Sequence, residues 1–176
     1  QIDRCVTYNY EEKVWSVGTL DRTSWADKGV YNFPYATSYE ASDTSSTITT
    51  INGLTAGRTF MYAHENGVNA DGAAMTSYVE SGSFVIPQAG ENLMSIRRFI
   101  PDFKNLAGTV DVSLKFRLYP TSEQITNGPH EVATTTEFVD TRARGRQAAV
   151  RIESSTLDST WRYGTYRADV HPDGKR

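Results

Sequence analysis

Val110-Asp-Val-Ser-Leu-Lys-Phe-Arg-Leu118 is the stretch on which the fold class turns. Val110, Val112, Leu114, Phe116 and Leu118 recur at every second residue, with Asp111, Ser113, Lys115 and Arg117 between them. Successive side chains of a strand point to opposite faces, so this period predicts a half-buried antiparallel strand with one dry and one wet face. Tyr119-Pro120 ends it, because proline cannot donate to a ladder and holds its predecessor in extended or turn geometry.

The same kind of segment recurs on both sides. Cys5 to Tyr10, the polar Glu11-Glu-Lys13 and Val14 to Val17 read as strand, turn, strand, with Gly18 closing the unit. Arg58 to His64 and Ala74 to Glu80 predict a second hairpin around a long loop, in which Asn66-Gly67 and Asp71-Gly72 supply residues that tolerate positive φ. The polar run Ala41 to Thr50 is expected to be a loop followed by a short strand. Further strands are predicted near 94–100, 109–119, 131–139, 147–153 and 161–170. For 94–100, Met94, Ile96, Phe99 and Ile100 leave a weak helical face as the alternative. The expectation is an all-β, antiparallel chain. Hairpins of a propeller-like or sheet domain occupy 1–86, and a β-sandwich occupies 87–176, with a soft boundary in the turn-rich Gln88 to Glu91.

Composition agrees with that reading and excludes others. Ser and Thr make 36 of the 176 residues, which with 13 Gly tilts the chain toward strands and turns. The hydrophobic fraction of 38% and aromatic fraction of 11% are enough to build a core. Apolar runs such as Phe60 to Ala63 are far short of the roughly 20 residues of a membrane helix, so no membrane insertion is expected. The single Cys5 excludes an intrachain disulfide and a Cys-based zinc site. The N-terminal Gln, opening directly on a strand, suggests a piece of a longer chain. Residues 1–90 carry 5 basic and 10 acidic side chains and residues 91–176 carry 13 and 11, so the halves differ in sign, at −5 and +2.

Chemistry-bearing motifs are sparse. No phosphate-binding loop, zinc-protease helix, nucleophile elbow or dinucleotide fingerprint occurs. His64, His130 and His171 have no partner at ligand spacing and read as polar surface or loop residues. Glu65, Asn69 and Asp71 faintly resemble an oxygen-rich calcium loop but lack its ligand alternation, and ordinary turn chemistry accounts for them better. Neither a metal, a cofactor nor a catalytic residue is predicted. One charge cluster stands out, Arg142-Ala-Arg-Gly-Arg146. At period two, Arg142, Arg144 and Arg146 would point to one side of an extended segment, a row of guanidinium groups suited to carboxylate or phosphate partners. With Glu137, Asp140 and Glu153 nearby and no interleaved aromatics, a salt-bridging or intersubunit edge fits better than nucleic-acid binding.

Taken in order, a set of local patterns resembles the C-terminal part of the tail nozzle or tail hub proteins of short-tailed double-stranded-DNA bacteriophages. They are Tyr8-Asn-Tyr-Glu11 with Trp15-Ser-Val-Gly-Thr-Leu-Asp-Arg-Thr-Ser-Trp25, Tyr62-Ala-His-Glu-Asn-Gly67 with Asp71-Gly72, Tyr78-Val-Glu-Ser-Gly82, Ile100-Pro-Asp-Phe103, Arg142-Ala-Arg-Gly-Arg-Gln-Ala148, Trp161-Arg-Tyr-Gly164 and Asp169-Val-His-Pro-Asp-Gly-Lys-Arg176. The resemblance implies a virion structural protein with propeller and sandwich parts. It also implies a hexameric ring below the portal and adaptor that retains and conducts the genome, with tail fibre proteins as neighbours. Contact with genomic DNA would be transient and non-specific. It carries over no catalytic residue, so function would lie in subunit faces, with Arg142, Arg144 and Arg146 as the intersubunit candidates. A tail-associated carbohydrate-binding or receptor-binding module is the alternative, and a glycan hydrolase a weaker one.

Overall fold

A computed structural model describes residues 4–40, 58–86 and 92–174. Among them all regular structure is β and every strand pair is antiparallel. The polar run 41–50 and the turn at 88–91 lie outside the described residues. The chain forms two compact units, Gln1–Gly67 and Val68–Arg176.

In the first unit, β1 (Arg4–Asn9) and β2 (Val14–Thr19) form the expected hairpin, in a register that sets Tyr8 opposite Trp15 and Asn9 opposite Val14. Its turn is closed by Asn9, whose Oδ1 accepts the backbone N–H groups of Glu11 and Glu12 at 3.0 and 3.1 Å. Asn favours turns for this reason. A separate sheet runs β3 (Ser24–Ala26), β4 (Tyr35–Glu40), β5 (Arg58–Ala63) in that order.

The second unit contains β6 (Ser77–Glu80), β7 (Met94–Ile100), β8 (Phe103–Ala107), β9 (Val110–Arg117), β10 (Ile125–Val132), β11 (Val139–Gly145), β12 (Gln147–Ser154), β13 (Thr160–Tyr163) and β14 (Arg167–Pro172). One sheet has the order β10-β9-β12-β6 and the other β11-β7-β14, with β8 and β13 forming a two-stranded ribbon. Side chains from both sheets meet in one core of sandwich type, built on Met94, Ile96, Phe99, Val112, Leu114 and Ile152. Strand β9 alternates buried and half-buried from end to end, as its sequence requires. Leu118 departs from that pattern and is exposed, because the ladder stops at Arg117 and the chain turns, Ser122 N–H donating to the Tyr119 carbonyl. The buried Thr141 and Ser154 hydroxyls are paired. Thr141 Oγ1 donates to the Ile96 carbonyl at 2.8 Å, and Trp161 Nε1–H donates to Ser154 Oγ at 2.9 Å.

Several expectations are corrected. The hairpin of 58–64 with 74–80 does not form: β5 pairs with β4, and β6 pairs with β12. Asp71 and Gly72, at φ 51° and 76°, close only the small Ala70–Ala73 bridge, so the turn folds back on itself before a ladder can grow. The pairing of β6 with β12 lies within the second compact unit, which runs from Val68. Residues 94–100, by contrast, form the strand expected there, and the helical alternative falls away. The strand expected at 131–139 is the end of β10 and the start of β11, and that at 161–170 is two strands, β13 and β14.

Candidate interaction surface

The arginine row lies on β11, at the edge of the β11-β7-β14 sheet. Alternation holds along the strand. Thr141, Ala143 and Gly145 are buried, while Arg142 and Arg144 face solvent. Arg146 leaves the row. It stands between the end of β11 and the start of β12, where the chain crosses from one sheet to the other, and its backbone N–H donates to the Arg117 carbonyl at 2.9 Å. Its guanidinium lies 5.3 Å from the centre of the Tyr119 ring. The crossing is tight, since a Cβ at Gly145 would sit 3.0 Å from Phe116 Cβ and 3.1 Å from the Arg117 carbonyl oxygen. Glycine is therefore needed here for close approach of two backbones.

Arg97, on the exposed side of β7, takes the place that Arg146 was expected to fill. Together with Ser95, Asp140, Thr141, Arg142 and Arg144 it lines a shallow groove of about 590 Å³. Two of the charges beside the groove are satisfied within the chain. Arg144 Nε pairs with the Asp173 carboxylate at 2.5 Å while its Nη2 donates to the Asp173 carbonyl at 3.0 Å. Arg98 pairs with Asp140 at 2.8 Å and lies over the Phe138 ring. Arg97 and Arg142 have no ion pair or hydrogen bond through their side chains among the described residues. Arg97 was missed in the sequence because a bulge between Asp140 and Ala143 breaks the register opposite it, so no spacing rule links it to Arg142.

A second surface lies on the first unit. Val6, Tyr8, Trp15 and Val17 share one face of the hairpin and are exposed by 63%, 45%, 69% and 74%. The Tyr8 and Trp15 rings are 4.5 Å apart at 35°. At the tip, Glu11 and Glu12 are exposed, and their carboxylates have no partner among the described residues.

The histidines are engaged locally. His64 Nε2 accepts from Arg22 Nε at 3.1 Å and its ring lies against Trp25, and burial, then Arg22, lowers its pKa from the ordinary value. His130 bonds Asn127 at 2.8 Å, and His171 lies 2.8 Å from Asp169. No group of three His, Cys, Asp or Glu side chains that could hold a metal ion occurs among the described residues. Asn69 is a structural tether, its Nδ2 donating to Asp158 Oδ1 at 2.7 Å and its Oδ1 accepting the Asp158 N–H at 2.9 Å.

In the second unit, an apolar cavity of about 210 Å³ is lined by Val79, Phe84, Val150, Ile152, Tyr163 and Tyr166. The Tyr166 hydroxyl is shielded from solvent and has no hydrogen-bond partner among the described residues. Burial, then the neighbouring Tyr163, pushes its pKa far above the ordinary tyrosine range. No family model matches the sequence, and no curated protein is significantly similar to it.

Proposed function

We propose that this chain is a structural subunit that works through its surfaces in an oligomeric assembly. The assembly that fits the sequence patterns is the nozzle or hub of a short-tailed bacteriophage tail, a ring below the portal and adaptor that retains and conducts the genome. The observation that carries the structural reading is the exposed apolar face of Val6, Tyr8, Trp15 and Val17 on a two-stranded hairpin. Two strands alone are marginal in water, and an apolar face of this kind is stabilised by burial against a partner. Arg97 and Arg142, unpaired among the described residues, add a polar contact zone. In this reading Arg142 and Arg144 face a neighbouring subunit, and genomic DNA meets the ring only in transient, salt-sensitive contacts.

A carbohydrate-binding module is the second reading, favoured by the exposed Tyr8 and Trp15 rings. Their 35° tilt makes a poor platform, because sugar rings stack on coplanar aromatics. The mass of the native assembly, measured by analytical ultracentrifugation and by electron cryomicroscopy of the purified particle, separates the two. A closed hexameric ring joined to a portal supports the subunit reading. A monomer at every concentration that binds cell-wall glycans refutes it.

A further inference from the structure

We infer that the groove of Arg97 and Arg142 is a socket for the β1–β2 hairpin tip of a second copy of this chain, with Glu11 and Glu12 as the entering groups. This rests on the subunit reading above and names its contact. Four observations point to it.

The groove holds two guanidiniums, Arg97 and Arg142, that are unpaired among the described residues, and the hairpin tip holds two unpaired carboxylates. The two sets match in number and sign, and guanidinium and carboxylate pair through two parallel N–H···O bonds. The tip is shaped as a projection, because Asn9 Oδ1 holds the Glu11 and Glu12 N–H groups inward and leaves their side chains outward. Below the tip, Tyr8 and Trp15 form an exposed apolar collar. Such a collar supplies the burial that an exposed charge contact alone lacks. Finally, the unit that bears the tip, residues 1–67, carries 5 basic and 8 acidic side chains, while residues 68–176 carry 13 of each, so the groove is a local basic patch on a neutral unit. Opposite charge on the tip and in the groove favours head-to-tail contact and opposes like-to-like contact. A head-to-tail contact uses two different patches, and repeated by a closing rotation it generates a ring.

The test is charge reversal read by sedimentation velocity over a dilution series, with far-UV circular dichroism to verify folding. Glu11→Arg with Glu12→Arg, and separately Arg97→Glu with Arg142→Glu, should each weaken self-association by about 100-fold or more. Mixing the two variants should restore association, because the reversed tip of one meets the reversed groove of the other. The chain carrying all four changes should associate like the wild type. Association unmoved by either reversal, or not restored by mixing, overturns this contact while a self-associating wild type keeps the subunit reading. A wild type that stays monomeric overturns both.

Discussion

Replacing Gly145 with alanine tests the sheet crossing that sets Arg142 and Arg144 on one face and sends Arg146 elsewhere. The added Cβ would meet Phe116 Cβ at 3.0 Å, the Arg117 carbonyl at 3.1 Å and Phe116 Cδ1 at 3.2 Å. None of these atoms is the free end of a flexible chain. Phe116 is 2% exposed, and β9 lies between β10 and β12, so the obstacle is held on both sides. Overpacking of a filled site costs about 1–3 kcal/mol. Because φ at Gly145 is not in the left-handed region, alanine also recovers about 0.4–1 kcal/mol by restricting the unfolded chain. The net expectation is a loss of roughly 1–2 kcal/mol. Gly82→Ala is the control, since nothing lies within 4 Å of its Cβ and its φ is unstrained, so it should be neutral or slightly stabilising. Urea unfolding is followed by Trp161 fluorescence in a background where Trp15 and Trp25 are phenylalanine, so that the probe reports the second unit alone. Equal midpoints for the two alanine variants would refute the crowding at the crossing.

Tyr166→Phe removes a buried hydroxyl that has no partner, so the second unit should hold its stability or gain about 1 kcal/mol in urea, and a loss above that size would mean that the hydroxyl is bonded. Glu80 pairs with Lys115 at 2.6 Å and Arg151 at 3.2 Å, and the Lys115 hydrogen bond leads in holding its pKa below the ordinary 4.5. A depressed carboxylate stabilises the fold above its unfolded value and loses that contribution as pH falls through the folded one. Glu80→Gln should therefore flatten the stability profile below about pH 4.5 and leave its shape at higher pH unchanged, and an unaltered acid limb in the thermal midpoint would overturn the assignment. Asn69→Ala removes both bonds to Asp158 and should cost about 1–2 kcal/mol with faster amide exchange at Asp158, while unchanged exchange there would show that the tether is not made in solution.

Where periodicity alone determines structure, the fold was legible. Strand β9, buried on one face along its length, follows directly from the alternation of Val110 to Phe116, and the β1–β2 hairpin from two apolar runs around a polar turn. Pairing was not legible wherever partners are distant. Asn66-Gly67 and Asp71-Gly72 promise a hairpin, but β5 finds β4 and β6 finds β12 across a long stretch of chain. Turn residues permit a reversal without choosing the strand that follows it. The arginine row was legible for Arg142 and Arg144 because both lie within one strand, and it failed at Arg146 because the strand ends at Gly145. No local signal marks that end, as the constraint is the body of Phe116 on another strand. Arg97 was invisible for a related reason, being brought to the groove by pairing across a bulge.

The two outer faces of the sandwich use similar residues to opposite ends. On the β10-β9-β12-β6 sheet, Glu80 bonds both Lys115 and Arg151, Arg151 also pairs with Glu153 at 2.5 Å, and its guanidinium covers the Tyr78 ring at 3.9 Å. Every charge in that group has its partner on the same face. Exposed pairs of this kind contribute little individually, about 0–1 kcal/mol, but they leave no charge seeking one elsewhere. On the β11-β7-β14 sheet, Arg98 and Arg144 are matched, and Arg97 and Arg142 have no partner among the described residues. Aggregate composition hides this difference, since the unit that holds both faces is neutral, with 13 basic and 13 acidic side chains. It is the matching of charges, more than their number, that sets the second face apart. A face whose cations are half satisfied presents a defined pattern to an acidic partner, with Arg144 fixed by Asp173 at one side of the groove and Arg142 and Arg97 free within it. Preorganising one guanidinium while leaving the others open lowers the ordering cost of an incoming carboxylate pair.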